Sequence, residues 1–94
     1  MILYLAGKMT GTTDMGRRQF NEMEKRLTAQ GHIVMNPARL PIGLKGDEYM
    51  QIGLKMLDAA EAIYLMQGWE TSKGARLERD YALYQGKIIL YEGE

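Results

Sequence analysis

The hydrophobic positions of the chain form short continuous runs that alternate with segments of helical periodicity. A continuous apolar run is typical of a strand in a parallel sheet, because such a strand is covered on both faces. Four runs predict strands, at residues 2–6, 32–36, 62–66 and 87–91. The segments between them place apolar residues on one face and charged residues elsewhere, as amphipathic helices do. The predicted helices are residues 14–30, 47–60 and 73–85.

Residues that start or stop secondary structure stand at the ends of these segments. Asp14 and Ser72 are suitable N-caps for the first and third helices, because a short polar side chain can accept a hydrogen bond from the first turn. Gly31 and Gly86 follow those helices at the C′ position, which favours glycine. Pro37 ends the second strand, since proline has no N–H to donate to a sheet.

The alternation of strands and helices predicts the architecture. Short connections imply right-handed crossovers and helices on both faces of a parallel sheet. We therefore expect a single α/β domain over residues 1–94, with a small three-layer, doubly wound (Rossmann or flavodoxin-like) parallel sheet of four strands in the order 2-1-3-4. Ligands bind such sheets at the carboxyl ends of the strands, where the strand order reverses. This rule selects residues 7–13, residues 67–72 and the start of the third helix.

Composition narrows the function classes. The 94 residues carry 12 Lys+Arg and 12 Asp+Glu, so no net charge draws the chain to nucleic acid or to an anionic membrane. With no Cys and one His, the sequence has no disulfide, no thiol nucleophile and no histidine metal cluster, and we expect no metal and no cofactor. The apolar run at residues 2–6 is too short for a signal peptide or a membrane span. We expect a cytoplasmic protein that binds neither membrane nor nucleic acid.

Glu78 is on the wrong face of the third predicted helix for a solvated charge. On a helical wheel it points away from the basic side and falls among Gly74, Ala75 and Ala82. One interpretation is a partly buried Glu paired with a basic side chain. The other is a carboxylate near a helix N-terminus, kept ionised by the helix dipole and accessible to a ligand. Such a carboxylate is a nucleophile or a base.

Other polar and aromatic residues lie at the expected ligand edge. Trp69 stands in a turn where its ring could close over a base, or only cover the end of the core. Tyr4 is inside the first strand, so its hydroxyl needs a partner, either a backbone carbonyl or a reacting carboxylate. The loop that begins at Gly7 contains hydroxyls and a cation, but it matches neither the P-loop nor the G-x-G-x-x-G pattern.

Three segments together resemble a known family. They span nearly the whole chain and look like the small DUF4406 family, which is itself similar to nucleoside 2-deoxyribosyltransferases and deoxynucleoside monophosphate N-glycosidases. The third segment is the most specific, because its Gly, Glu, Ala and Gly-Lys spacing matches the helix that carries the catalytic Glu in those enzymes. The segments are YLAGKMT at residues 4–10, GHIVMNP at residues 31–37 and GWETSKGARLERDYALYQGK at residues 68–87.

The resemblance implies chemistry at an N-glycosidic bond. A Glu at the position of Glu78 would attack the anomeric carbon of a deoxyribosyl group, and Tyr4 would match a Tyr that hydrogen-bonds this nucleophile. The sugar would then pass to another base or to water. The substrate implied is a small-molecule nucleoside or nucleotide. The residues expected to shape its pocket are Gly7, Thr10, Trp69, Ser72 and Gly74.

The chain departs from the deoxyribosyltransferases at three positions. Those enzymes carry an Asp on the second helix where this chain has Gly53, and an Asp before the third strand where it has Glu61. The acid that contacts the base aligns with Ser72. A non-catalytic nucleotide-binding or protein-interaction module of the same fold is therefore an alternative to an enzyme.

The second predicted helix indicates self-association. Its apolar face, which includes Met50 and Met56, is wide enough to meet both the sheet and a partner subunit. We therefore expect a homo-oligomer, a dimer or larger. An oligomeric scaffold built on this helix is a third possible role.

Overall fold

The computed structural model describes residues 1–9, 11–12 and 14–94. The strands are β1 (Ile2–Ala6), β2 (Ile33–Met35), β3 (Ala62–Leu65) and β4 (Ile88–Tyr91), and the helices are α1 (Arg17–Ala29), α2 (Gly46–Asp58) and α3 (Lys73–Tyr84). The four strands form one sheet in the order β2-β1-β3-β4, and each neighbouring pair is parallel. The predicted α/β class and strand order are confirmed.

The sheet separates two hydrophobic clusters, because successive side chains of a strand point to opposite faces. Along β1, Leu3 and Leu5 face one cluster, whereas Tyr4 and Ala6 face the other. The first cluster is closed by α1 through Phe20, Met23 and Leu27. The second is closed by α2 and α3 through Leu57, Ala75 and Ala82. The result is the three-layer arrangement that the sequence predicted.

The strand order reverses between β1 and β3, and this reversal locates the ligand edge. Ala6 pairs with Leu65, so both strands end at the same level of the sheet. The chain leaves β1 toward α1 and β2 on one side, and leaves β3 toward α3 and β4 on the other. A crevice therefore opens beyond the two carboxyl ends, as in other doubly wound sheets.

Helix α1 begins three residues later than the sequence predicted, and Asp14 is not its N-cap. Gly16 caps the helix in a left-handed conformation with φ 72°. The carboxylate of Asp14 still accepts hydrogen bonds from the N–H groups of Gly16 and Arg18, at 3.1 and 3.0 Å. A Cβ atom on Gly16 would lie 2.8 Å from the Lys8 carbonyl oxygen. Glycine is therefore required here by both the conformation and the space.

The other elements are present, with ends that differ by at most two residues from the predicted ones. Strand β2 ends early because the Asn36 side chain makes hydrogen bonds there in place of the backbone bonds between strands. Asn36 is buried, and its Oδ1 accepts a hydrogen bond from the N–H of Ala38 at 2.9 Å. Its Nδ2 donates to Asn21 and Glu24 of α1. The Asn-Pro pair of the second segment thus turns the chain at the ligand edge.

Candidate active site

A cleft of about 820 Å³ opens at the carboxyl edge of the sheet. Its walls come from the end of β1, the start of α2 and the first turns of α3, which is where the reversal of strand order predicts a ligand site. Five of the residues selected from the sequence line it: Tyr4, Gly7, Ser72, Gly74 and Glu78.

Glu78 and Tyr4 form a buried hydrogen-bonded pair in this cleft. The Tyr4 hydroxyl donates to Glu78 Oε2 at 2.5 Å, and the side chains come from α3 and β1. Tyr4 is 1% exposed and Glu78 is 8% exposed. Of the two partners weighed for the Tyr4 hydroxyl, the structure selects the carboxylate. Glu78 has no basic partner among the ion pairs of the described residues.

Burial controls the charge of this pair. Loss of solvent raises the pKa of Glu78 to about 7, and the hydrogen bond from Tyr4 only partly opposes this rise. Burial and the neighbouring carboxylate raise the pKa of Tyr4 well above its usual value, so the phenol stays protonated and donates. Glu78 is therefore not held fully ionised at neutral pH, as the helix dipole was expected to hold it. At neutral pH the carboxyl is close to the midpoint of its titration.

Ser72 has a structural role that the sequence predicted. Its hydroxyl accepts a hydrogen bond from the N–H of Ala75 at 3.1 Å and so caps α3. Gly7 is buried where β1 meets α1, and a Cβ there would lie 3.0 Å from the terminal methyl of Met66. Both residues thus support the wall of the cleft as well as lining it.

One predicted pocket residue, Trp69, is not part of this arrangement. Trp69 does not line the cleft that contains Glu78. It lines a second, smaller depression beside β4. Its ring lies 5.9 Å from that of Tyr91, and the Arg79 guanidinium lies 5.7 Å from its centroid. This packing is the core-covering role that the sequence left open. Thr10 lies outside the described residues.

Sequence reasoning missed most of the apolar wall of the cleft. This wall is formed by Met9, Met15, Phe20 and Met50. These residues come from the loop between β1 and α1, from α1 and from α2. Methionine adapts to irregular shapes, so such a wall can accept the flat faces of a ligand. The high Met content, 8 residues in 94, was the only signal, and it did not say which Met residues would meet.

Charged residues also stand on the walls of the cleft. Asp47 comes from the start of α2, and Lys73, Arg76 and Asp80 come from α3. Among the described residues no group of three or more His, Cys, Asp or Glu side chains could hold a metal ion. The cleft combines the buried carboxylate of Glu78, the phenols of Tyr4 and Tyr49 and a mixed-charge wall.

Glu61, one of the departures noted above, is outside the cleft. Its Oε1 accepts a hydrogen bond from the N–H of Ile2 at 2.8 Å, so it secures the start of β1.

In the described part of the chain no helix is long and apolar enough to cross a membrane.

Gly74→Ala is expected to narrow the cleft without harming the fold. A Cβ there would lie 3.2 Å from the terminal methyl of Met50, which is the end of a flexible side chain, and alanine stabilises a helix by up to about 1 kcal/mol relative to glycine. Thermal unfolding should therefore show equal or higher stability. If Gly74 does face a ligand, titration calorimetry should show weaker binding of that ligand; unchanged affinity would contradict this placement.

Comparisons with known proteins place this geometry in context. The model of a family described as a domain of unknown function, DUF4406, matches residues 1–91. A search of curated proteins found no match. Among solved structures, one described as a 2-desoxiribosyltransferase from Leishmania mexicana is similar, with a TM-score of 0.76 and 21% sequence identity. The match covers 96% of this chain and 62% of that one, and at this identity it shows a shared fold.

Proposed function

Because the chain belongs to the DUF4406 family and shares the fold of a 2-deoxyribosyltransferase, we propose that it cleaves or transfers at the N-glycosidic bond of a nucleoside or nucleotide. One observation carries the proposal: a buried carboxylate, Glu78, is held by the Tyr4 hydroxyl inside a cleft at the strand-order reversal. A carboxyl whose pKa is raised by burial and that lies in a cleft is typical of a catalytic group.

In the proposed reaction the Glu78 carboxylate attacks C1′ of the sugar. The bond between C1′ and the base nitrogen breaks, its electron pair stays with the base, and a glycosyl ester forms on Glu78. Water or a second base then attacks C1′ and releases the carboxylate. Tyr4 holds Oε2 throughout, which leaves Oε1 to attack.

The leaving base needs a proton, and Tyr4 is a poor source of it. The pKa of its phenol lies well above the usual value, so the group stays protonated and serves to orient the carboxylate. The other carboxyl groups on the wall of the cleft belong to Asp47 and Asp80. These two are the side chains to test as proton donors, because a general acid must be within reach of the leaving group.

A non-catalytic nucleotide-binding module is the second candidate. It is favoured by the state of Ser72, whose hydroxyl is already bonded to the start of α3 where the deoxyribosyltransferases have a base-contacting acid. In that case the apolar wall of the cleft would pack against the flat faces of the nucleotide base, and the N-glycosidic bond would stay intact.

A chromatographic assay for free base distinguishes the two functions. The protein is incubated with deoxynucleosides and their 5′-monophosphates, with and without an acceptor base. Base release or exchange supports the enzyme. Thermal stabilisation by a nucleotide without release supports the binding module, because a ligand that binds only the folded state raises its apparent stability.

We also propose that the protein is a homo-oligomer. Part of the apolar face of α2, which the sequence predicted as the interface, already makes contacts within the subunit. Met50 lines the cleft and Met56 packs against the second core cluster. Other large apolar side chains are exposed on or beside α3. They are Leu77, Leu83, Tyr84 and Ile88.

A further inference from the structure

Gly53 stands on the buried face of α2, eight residues into the helix. Glycine inside a helix is less favourable than any residue except proline, because the backbone loses the most freedom there. A buried glycine at such a position indicates that something lies close to the backbone. In this chain the neighbours are Tyr4 and Glu78.

The space above Gly53 is filled by the hydrogen bond of the active site. A Cβ atom on Gly53 would lie 2.7 Å from the Tyr4 hydroxyl oxygen and 2.9 Å from Glu78 Oε2. Real Cβ atoms essentially never make contacts below 3.0 Å, so one of the two groups would have to move. Both side chains are buried and both line the cleft, so the group that gives way has only the cleft to move into.

The contrast with Gly74 shows that this crowding is specific. A Cβ on Gly74 meets the terminal methyl of the flexible Met50 side chain at 3.2 Å, and the next atom, Ser72 Oγ, is 4.0 Å away. At Gly53 the two closest atoms are the donor and the acceptor of the bond that orients the proposed nucleophile.

We propose that Gly53 is a positioning residue of the active site: its missing side chain leaves the space in which the Tyr4 hydroxyl meets Glu78 Oε2. Any larger residue would separate this pair, and the carboxylate would lose the hydrogen bond that orients it. The inference rests on the proposed function for its effect on turnover, whereas the geometry can be tested without turnover.

Several groups bear on the ionisation of Glu78. Tyr4 of β1 bonds to it directly and favours its charged form, while burial opposes that form. The charged residues on the cleft walls are Asp47 of α2 and Lys73, Arg76 and Asp80 of α3. A substitution at Gly53 leaves these charged residues unchanged and acts on the hydrogen bond between Tyr4 and Glu78.

The test is a pH titration of the Glu78 carboxyl by carbon-13 NMR in the full chain. The variants are Gly53→Ala, Tyr4→Phe and the double substitution, with Gln51→Ala as an exposed control on the same helix. Each single change should raise the pKa of Glu78 above that of the wild type. In the Tyr4→Phe background the Gly53→Ala effect on the pKa of Glu78 should largely disappear, because the hydrogen bond that the methyl group would break is already absent. The control should titrate like the wild type.

Turnover provides the second readout. Loss of a hydrogen bond to a charged group should reduce base release at neutral pH by about tenfold to a hundredfold in each single variant, and the two losses should not add. If the wild type releases no base, the proposed function fails, and the NMR titration still decides the role of Gly53.

The pKa of Glu78 and the folding of the Gly53→Ala variants can each overturn the inference. A folded Gly53→Ala protein whose Glu78 pKa equals that of the wild type would show that the glycine does not position the pair. If Gly53→Ala fails to fold, the double variant decides: recovery of the fold supports the shared space, and failure of both variants overturns the inference in favour of general packing.

Discussion

Glu78→Gln is expected to reduce base release by at least about 10³-fold, because an amide cannot form the glycosyl ester that the proposed reaction requires. The replacement has nearly the same shape, and the Tyr4 hydroxyl can still donate to the amide oxygen at the site of Oε2. Fold and nucleotide affinity should therefore be nearly unchanged. Chromatography of released base, with circular dichroism and calorimetric binding on the same samples, measures all three.

The pH profile sharpens this first prediction. Since burial raises the pKa of Glu78 to about 7, kcat/KM of the wild type should rise with pH through that value as the nucleophile ionises. Glu70→Gln is the matched control, since Glu70 is an exposed carboxylate just before α3 and outside the cleft. Equal activity of Glu78→Gln and the wild type would remove Glu78 from the mechanism.

The second large effect is on stability, where Glu78→Gln is expected to make the protein more stable at pH 8. The folded pKa of Glu78 is about 7 and the unfolded reference is 4.5, so the folded state holds its proton more tightly. The stability that this proton contributes is fully present below about pH 4.5 and is lost as pH rises through about 7. The loss is on the order of 3 kcal/mol, since one pKa unit corresponds to about 1.4 kcal/mol.

Denaturant unfolding of both proteins from pH 4.5 to 8 measures this effect. The difference between the two free energies of unfolding isolates Glu78, because other titrating groups are the same in both. Glu24, whose pKa is lowered by Arg39, is one of these. Curves that run parallel across this range would show that Glu78 is ionised as easily in the folded protein as in the unfolded one.

The hydrophobic pattern alone determined the elements and their order. Apolar runs and helical periodicity are local properties, and parallel strands joined by short helical connections permit few topologies. The same local physics made Ser72 a cap and turned Glu78 toward the sheet, since helix geometry decides which face a residue occupies. The position of the ligand edge then followed from the strand order alone.

Only the tertiary structure decided the character of the site. The pKa of Glu78 depends on how completely distant elements exclude water, whereas helix position alone suggested a fully ionised carboxylate. Trp69 packs against Tyr91 at a tilt instead of entering the cleft, and Met residues from separate segments form the wall of the cleft. The role of Gly53 is likewise visible only where α2 meets β1 and α3. These features depend on distances between residues far apart in the chain, which a pattern of neighbours does not contain.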